Sequence, residues 1–150
     1  DQTYPAETIK KLLNHNVEIV GAVVHRRWDP FLPCGMTGEL GKYKNISREE
    51  AYSGDLIEVD ATGTGCLCIR MDCFFDMPEP FQISTNDNKI VGEDIFFCNE
   101  SRKRGRKIYM DTSIQVGHLM PALINEEFSV FYQAYSNYKK EVANGGESRA

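Results

Sequence analysis

Glu93 and Asp94 are adjacent carboxylates that follow Gly92 and open the segment GEDIFFCNESRKRG, which ends on a second glycine, Gly105. Acids are common at a helix start, because the first backbone N–H groups lack partners and the helix dipole favours negative charge there. The pair can therefore be read as a helix cap, or as a catalytic base that the helix positions and a substrate uses. At the other end, Arg102, Lys103, Arg104, Arg106 and Lys107 complement the helix C-terminus and are expected to face water.

The chain that must position these groups has 150 residues, 41% hydrophobic and 26% charged, the composition of one globular domain. A formal charge of −5 and a pI near 5.2 argue against general nucleic-acid binding, which leaves a basic footprint. An anionic partner then needs a local device such as a metal ion. Cysteines at 34, 66, 68, 73 and 98 form no C-x-x-C pair and are odd in number, which points away from a zinc cluster or a disulfide framework. Reduced thiols suit a cytoplasmic protein. No apolar run reaches the roughly 20 residues of a membrane span, and no signal peptide is visible. The first residue is not methionine, which leaves open that the chain is a fragment.

Helices and strands alternate along the sequence. Pro5 suits a first helical turn, and Ile9, Leu12 and Leu13 place an apolar stripe on a helix ending near Asn14. EIVGAVV, residues 18–24, is a short β-branched run expected to be a buried strand. Residues 25–45 read as a long loop, of the kind that often binds or covers a ligand, and Ser47 with Glu50 fits a capping box. Strands are expected at 56–60 and 66–70, with the turn ATGTG between them, then one helical turn at 72–75 and an irregular stretch to Asn88. A helix from Glu93 to about Arg104 stops at Gly105, KIYMD is a strand, and IQVGHL leads to His118. Asn125 can cap a last helix in which Phe128, Phe131, Tyr135, Tyr138 and Val142 recur at helical spacing, an arrangement expected to be core packing.

GTGCLCIRMDCF, GEDIFFCNESRKRG and KIYMDTSIQVGH, in that order, resemble the second half of the family-two nucleotide-sugar glycosyltransferases, which have the GT-A fold. DQTYPAETIKKLLNHNVEIVGAVV resembles the segment that begins at the last aspartate of that family's Asp-x-Asp metal motif, so the resemblance spans about residues 1–118. It implies an α/β, GT-A-like mixed sheet flanked by helices and incomplete at its N-terminus. Residues 1–124 would be the catalytic and acceptor half, and 125–150 an amphipathic helix with a tail. It also implies metal ligation by Asp1 and His118, with Mn2+ or Mg2+ as cofactor, Asp94 as general base, and Glu93 orienting hydroxyls. Glycines in the turn Thr62, Gly63, Thr64 and Gly65 would let a substrate approach the backbone, and Trp28 could stack on a sugar.

The chemistry explains the residue types. A departing nucleoside diphosphate carries negative charge that a divalent cation neutralises as a Lewis acid. Hard oxygen ligands with one imidazole suit magnesium or manganese. A carboxylate on the opposite side of the sugar takes the acceptor's proton, worth about 10²–10⁴-fold. Each residue also has a structural role to weigh: capping for Glu93 and Asp94, an ordinary buried or surface histidine for His118, a tight connection for residues 62–65, and loop anchoring for Trp28 and Phe31.

Two departures limit the resemblance. The family's Gly-Gly-Phe-Asp-type segment before the acid pair is replaced by MPEPFQISTNDNK, and the donor-binding strands would lie upstream of Asp1. The expectation is therefore inverting, metal-dependent transfer from a nucleotide sugar to a glycan, lipid-linked or protein acceptor, with apolar surface on the first helix and first strand left open to self-association. The alternatives are a noncatalytic carbohydrate-binding or scaffold module on the same fold, and a metal-dependent nucleotidyltransferase.

Overall fold

The computed structural model describes residues 1–143, which divide after Leu119 into a sheet-containing body and a helical C-terminal unit. In chain order the body contains β1 (Gln2–Thr3), α1 (Thr8–Asn14), β2 (Ile19–Val24), β3 (Met36–Thr37), β4 (Lys44–Asn45) and α2 (Arg48–Ala51). These are followed by β5 (Leu56–Val59), β6 (Leu67–Ile69), β7 (Ser84–Asn86), β8 (Lys89–Val91), α3 (Glu93–Lys103) and β9 (Ile108–His118). The fold is mixed α/β, with helices flanking a mixed sheet.

β2 and β9 run parallel at the centre of that sheet. β6 lies antiparallel to β2, and both β1 and β5 pair antiparallel with β9. Successive side chains on a strand point to opposite faces. On β2, Ile19 and Val23 join a core with Phe97 and Cys98 of α3, while Val20, Ala22 and Val24 pack with Leu12 of α1 and with Ile114 and Val116. Every residue of β2 is buried, which is why the strand reads as an unbroken apolar run rather than an alternating one. Fully burying a valine or isoleucine side chain is worth about 1.5–3 kcal/mol, so β2 anchors both layers.

β9 does not run straight. Ala22 pairs with Asp111 but Val23 pairs with Gln115, so residues 112–114 form a bulge. The bulge is held by Thr112, whose N–H donates to the Asp55 carbonyl at 2.9 Å. It sets the register that brings His118 opposite Gln2.

Local signals in the sequence explain several elements. Ser47 and Glu50 make both hydrogen bonds of a capping box at α2. Gly105, with φ +80°, supplies the left-handed stop after α3.

Other expectations need correction. The stretch before Asn88 is not irregular throughout, because β7 and β8 form a hairpin. Its two-residue turn is Asp87–Asn88, both at positive φ, a geometry that Asp and Asn tolerate better than most residues. Residues 25–45 likewise contain the β3–β4 hairpin. Of the two elements expected to leave apolar surface open, α1 does so at Ile9 and Leu13, whereas β2 is covered.

The basic run does more than face water. Arg102 pairs with Asp60 at 2.7 Å and donates to the Gly38 carbonyl, while the mostly buried Arg106 pairs with Asp76 at 2.7 Å. Arg102 thereby braces the Gly38 loop against α3, and Arg106 ties the segment after the helix to the loop at Asp76.

In the C-terminal unit, α4 (Glu126–Ala143) begins as expected, with the Asn125 side chain accepting from the Phe128 N–H at 3.0 Å. Its aromatic stripe is not core: Phe131, Tyr135 and Tyr138 are exposed, and Phe131 stacks on Tyr135 within the helix. Val142 lies where the side chains are outside the described residues. Among the described residues, no helix is long and apolar enough to cross a membrane.

Candidate functional site

Asp1 and His118 come together because β1 pairs with the end of β9. Gln2 lies opposite His118 in the ladder, and the Leu119 N–H donates to the Asp1 carbonyl at 2.8 Å. His118 Nε2 stands 3.8 Å from Asp1 Oδ1. The other ring nitrogen, Nδ1, lies 2.8 Å from the carbonyl oxygen of His25. A carbonyl can only accept, so Nδ1 carries a proton and Nε2 is the atom presented to Asp1.

His25 is itself braced. Its Nε2 is 3.1 Å from the Tyr52 hydroxyl and the two rings stack. Burial, with help from Arg48, pushes the pKa of the His25 ring down and favours its neutral form.

Asp1 also pairs with a cation from the chain, because Arg27 Nη1 engages its Oδ2. Both side chains are about half exposed, at 45% and 54%. Arg27 follows Arg26, a half-buried residue with no carboxylate oxygen within ion-pair distance among the described residues. Arg26 carries the site's electrostatics toward Asp94 and Cys34, lowering the pKa of each against the larger upward push of burial.

Asp94 sits in the first turn of α3, where Gly92 provides the N-cap position without a side-chain bond. Its Oδ1 accepts from the Ile95 N–H at 2.7 Å, so one oxygen serves the helix end. The other faces the turn after β5: a Cβ added to Gly63 would lie 3.7 Å from Asp94 Oδ2 and 3.5 Å from Cys34 Cβ. Capping and an available oxygen thus coexist in one carboxylate.

A helix start by itself would keep Asp94 strongly acidic. Instead burial pushes its pKa above the usual carboxylate range, with adjacent Glu93 adding to the rise, against the Ile95 hydrogen bond and Arg26. The dipole favours the anion, but loss of water outweighs it. Glu93 is exposed beside it.

The turn at residues 62–65 links the two parts. Thr62 is buried and tied to α3, its N–H 3.5 Å from Cys98 Sγ, which in turn reaches the Thr62 carbonyl at 3.5 Å. Burial pushes the Cys98 thiol up to about 11, keeping it protonated for this contact. Thr64 and Gly65 are exposed. The Gly65 carbonyl accepts from Tyr4, whose hydroxyl also reaches Gln2 at 2.6 Å. A Cβ on Gly65 would come within 2.3 Å of Gln2 Nε2, so glycine permits the close approach of turn and β1.

Trp28 is 62% exposed, so its ring does not anchor the loop; Phe31 is exposed as well. Trp28 follows Arg27 directly in sequence. Sequence alone does not single out Arg26, Cys34 or Cys98 as site residues, since a cysteine or arginine in a loop or helix carries no pattern of its own.

An oxygen and an imidazole nitrogen suit a magnesium or manganese ion. Two ligands at roughly 2.1 Å from one ion are about 3.0 Å apart at right angles and about 4.2 Å apart when opposed. The observed 3.8 Å lies within that range. The Nδ1 contact to a carbonyl is the support that metal-binding histidines use to fix their ring. Among the described residues, no group of three or more His, Cys, Asp or Glu is placed to hold a metal; Asp1 and His118 are a pair.

No family model matches the chain, and no curated protein matches it. Among solved structures, it is similar to the crystal structure of A197 from STIV, with a TM-score of 0.54 and 15% identity. The match covers 81% of this chain and 55% of that one, so this chain spans about half the length of its structural relative. At that identity the likeness concerns the fold.

Proposed function

We propose that this chain forms the catalytic and acceptor half of a GT-A-like glycosyltransferase, moving a sugar from a nucleotide-diphosphate donor to an acceptor hydroxyl. The observation that carries the reading is the pairing of Asp1 with His118, whose Nδ1 rests on the His25 carbonyl and whose Nε2 faces the carboxylate. Asp1 and His118 would hold a manganese or magnesium ion, which when bound neutralises charge on a leaving diphosphate as a Lewis acid.

The proton chemistry falls on Asp94. Its Oδ2 is the oxygen not used by the helix end, and burial raises its affinity for a proton while Arg26 favours the ionised form. A base poised in this way removes the acceptor hydroxyl's proton as that oxygen forms its bond to the anomeric carbon. The bond from that carbon to the diphosphate oxygen breaks, and its electron pair leaves with the diphosphate. Attack in line from the far face inverts the anomeric centre. Exposed Glu93 orients a hydroxyl, the backbone at Gly63 admits close approach, and Trp28 offers a ring for a sugar face.

A noncatalytic carbohydrate-binding module on the same fold is the rival, favoured by Arg27, which already neutralises Asp1. Product analysis separates the readings. Free nucleoside diphosphate with a glycosylated acceptor supports transfer; pyrophosphate release points to nucleotidyl transfer; carbohydrate binding without turnover supports the rival.

A further inference from the structure

Arg27 and Asp1 form an ion pair at the carboxylate to which the cation is assigned, and this relationship has consequences beyond transfer itself. Asp1 Oδ2 is engaged by Arg27, while Oδ1 faces His118. A divalent ion and a guanidinium cannot share the carboxylate without strong like-charge repulsion at close range. Their pair is also weak enough to yield, since both side chains are about half exposed, at 45% and 54%, and are screened by solvent.

We infer that Arg27 is a built-in competitor of the divalent cation for Asp1, and that cation binding releases Arg27 to hold the phosphates of the donor. The inference rests on the proposed cation site. The local charge shows what the exchange does. With Arg27 on Asp1 the pair is neutral, whereas a divalent ion on Asp1 together with a released Arg27 leaves the two residues and the ion with a net charge of about +2. Arg26 adds a neighbouring positive charge without an ion-paired carboxylate among the described residues. The anion that such a site attracts is a diphosphate, and guanidinium groups recognise phosphate through paired N–H donors.

The backbone supports this exchange of partners. Asp1 stays fixed by the Leu119 N–H and by the β1–β9 ladder, and His118 by the His25 carbonyl, so the two ligands remain in place when Arg27 leaves. Arg27 lies after the end of β2, in the loop segment that also contains Trp28, and is free of the central ladder.

The test is titration of the full chain with Mn2+ alone, followed by the electron paramagnetic resonance signal of the free ion, for wild type, Arg27→Gln, Arg27→Lys and His118→Ala. Removing the competitor should tighten Mn2+ binding about two- to fivefold in Arg27→Gln, the scale set by an exposed ion pair. Arg27→Lys should stay close to wild type, and His118→Ala should weaken binding. A second titration with inorganic phosphate in the presence of Mg2+ should show weaker anion binding in Arg27→Gln than in wild type. Unchanged or weaker Mn2+ affinity in Arg27→Gln, alongside wild-type binding that depends on His118, overturns the competitor role and leaves the cation site standing. Absence of Mn2+ binding in every form overturns both.

Discussion

His118 Nε2 lies 3.8 Å from Asp1 Oδ1 while His118 Nδ1 rests on the backbone carbonyl of His25, so one ring is steered by a loop and presented to a carboxylate from the first residue of the chain. That relationship depends on the bulge in β9. Deleting one of residues 112–114 leaves a two-residue bulge and, if the strand beyond it moves back by one position, turns His118 to the other face. Deletion of Ser113 should therefore remove the His118-dependent Mn2+ affinity, as read by calorimetry; affinity preserved after the deletion would mean that the register does not matter.

Asp94 should lower stability when it is ionised. A carboxyl whose folded pKa is raised contributes stability below the unfolded value, about 3.9, and that contribution is lost as pH rises through the folded value. Asp94→Asn keeps an oxygen for the Ile95 N–H and removes the charge. Its melting temperature should exceed that of wild type by a few degrees at pH 7, with the gap closing below about pH 4. Equal melting curves at neutral pH would show that burial of the carboxylate carries no penalty.

Arg26 stabilises the ionised form of Asp94. Arg26→Ala removes that support, so the acid limb of the pH–rate profile should move to higher pH. An unmoved limb, or one displaced downward, would separate Arg26 from the proposed base.

Asp111 tests the opposite sign. Burial disfavours its anion, yet hydrogen bonds from His15 at 2.8 Å and from Ser113 at 2.9 Å hold its pKa below the usual range. Its contribution is present above the unfolded pKa and fades as pH falls through the folded one. Asp111→Asn should lose about 1–3 kcal/mol at pH 7 by urea denaturation, with a smaller loss at low pH. A pH-independent difference would assign the effect to shape rather than charge.

How far the sequence carries depends on the kind of signal. EIVGAVV, the Ser47–Glu50 box and Gly105 are legible because each is a local rule expressed in neighbouring residues. The Asp87–Asn88 turn escapes such a reading because it lacks the usual glycine, and its strands have only three residues each. The aromatic spacing of α4 correctly marks a helix, but spacing alone does not say what covers a stripe. At the site, Asp1 and His118 are named through family resemblance, and their approach requires a long-range pairing of β1 with β9. Arg26 and Arg27 carry no local pattern, since their importance arises only where the loop after β2 meets Asp1 and the field at Asp94.

The most direct test of the central claim measures transfer rate and donor affinity side by side for wild type and Asp94→Asn, with manganese and the proposed class of nucleotide-sugar donor. If Asp94 takes the acceptor's proton, the rate should fall by at least about 10²-fold while the donor dissociation constant stays within about twofold. Transfer that persists in Asp94→Asn at close to the wild-type rate would contradict the assignment of Asp94 as the base.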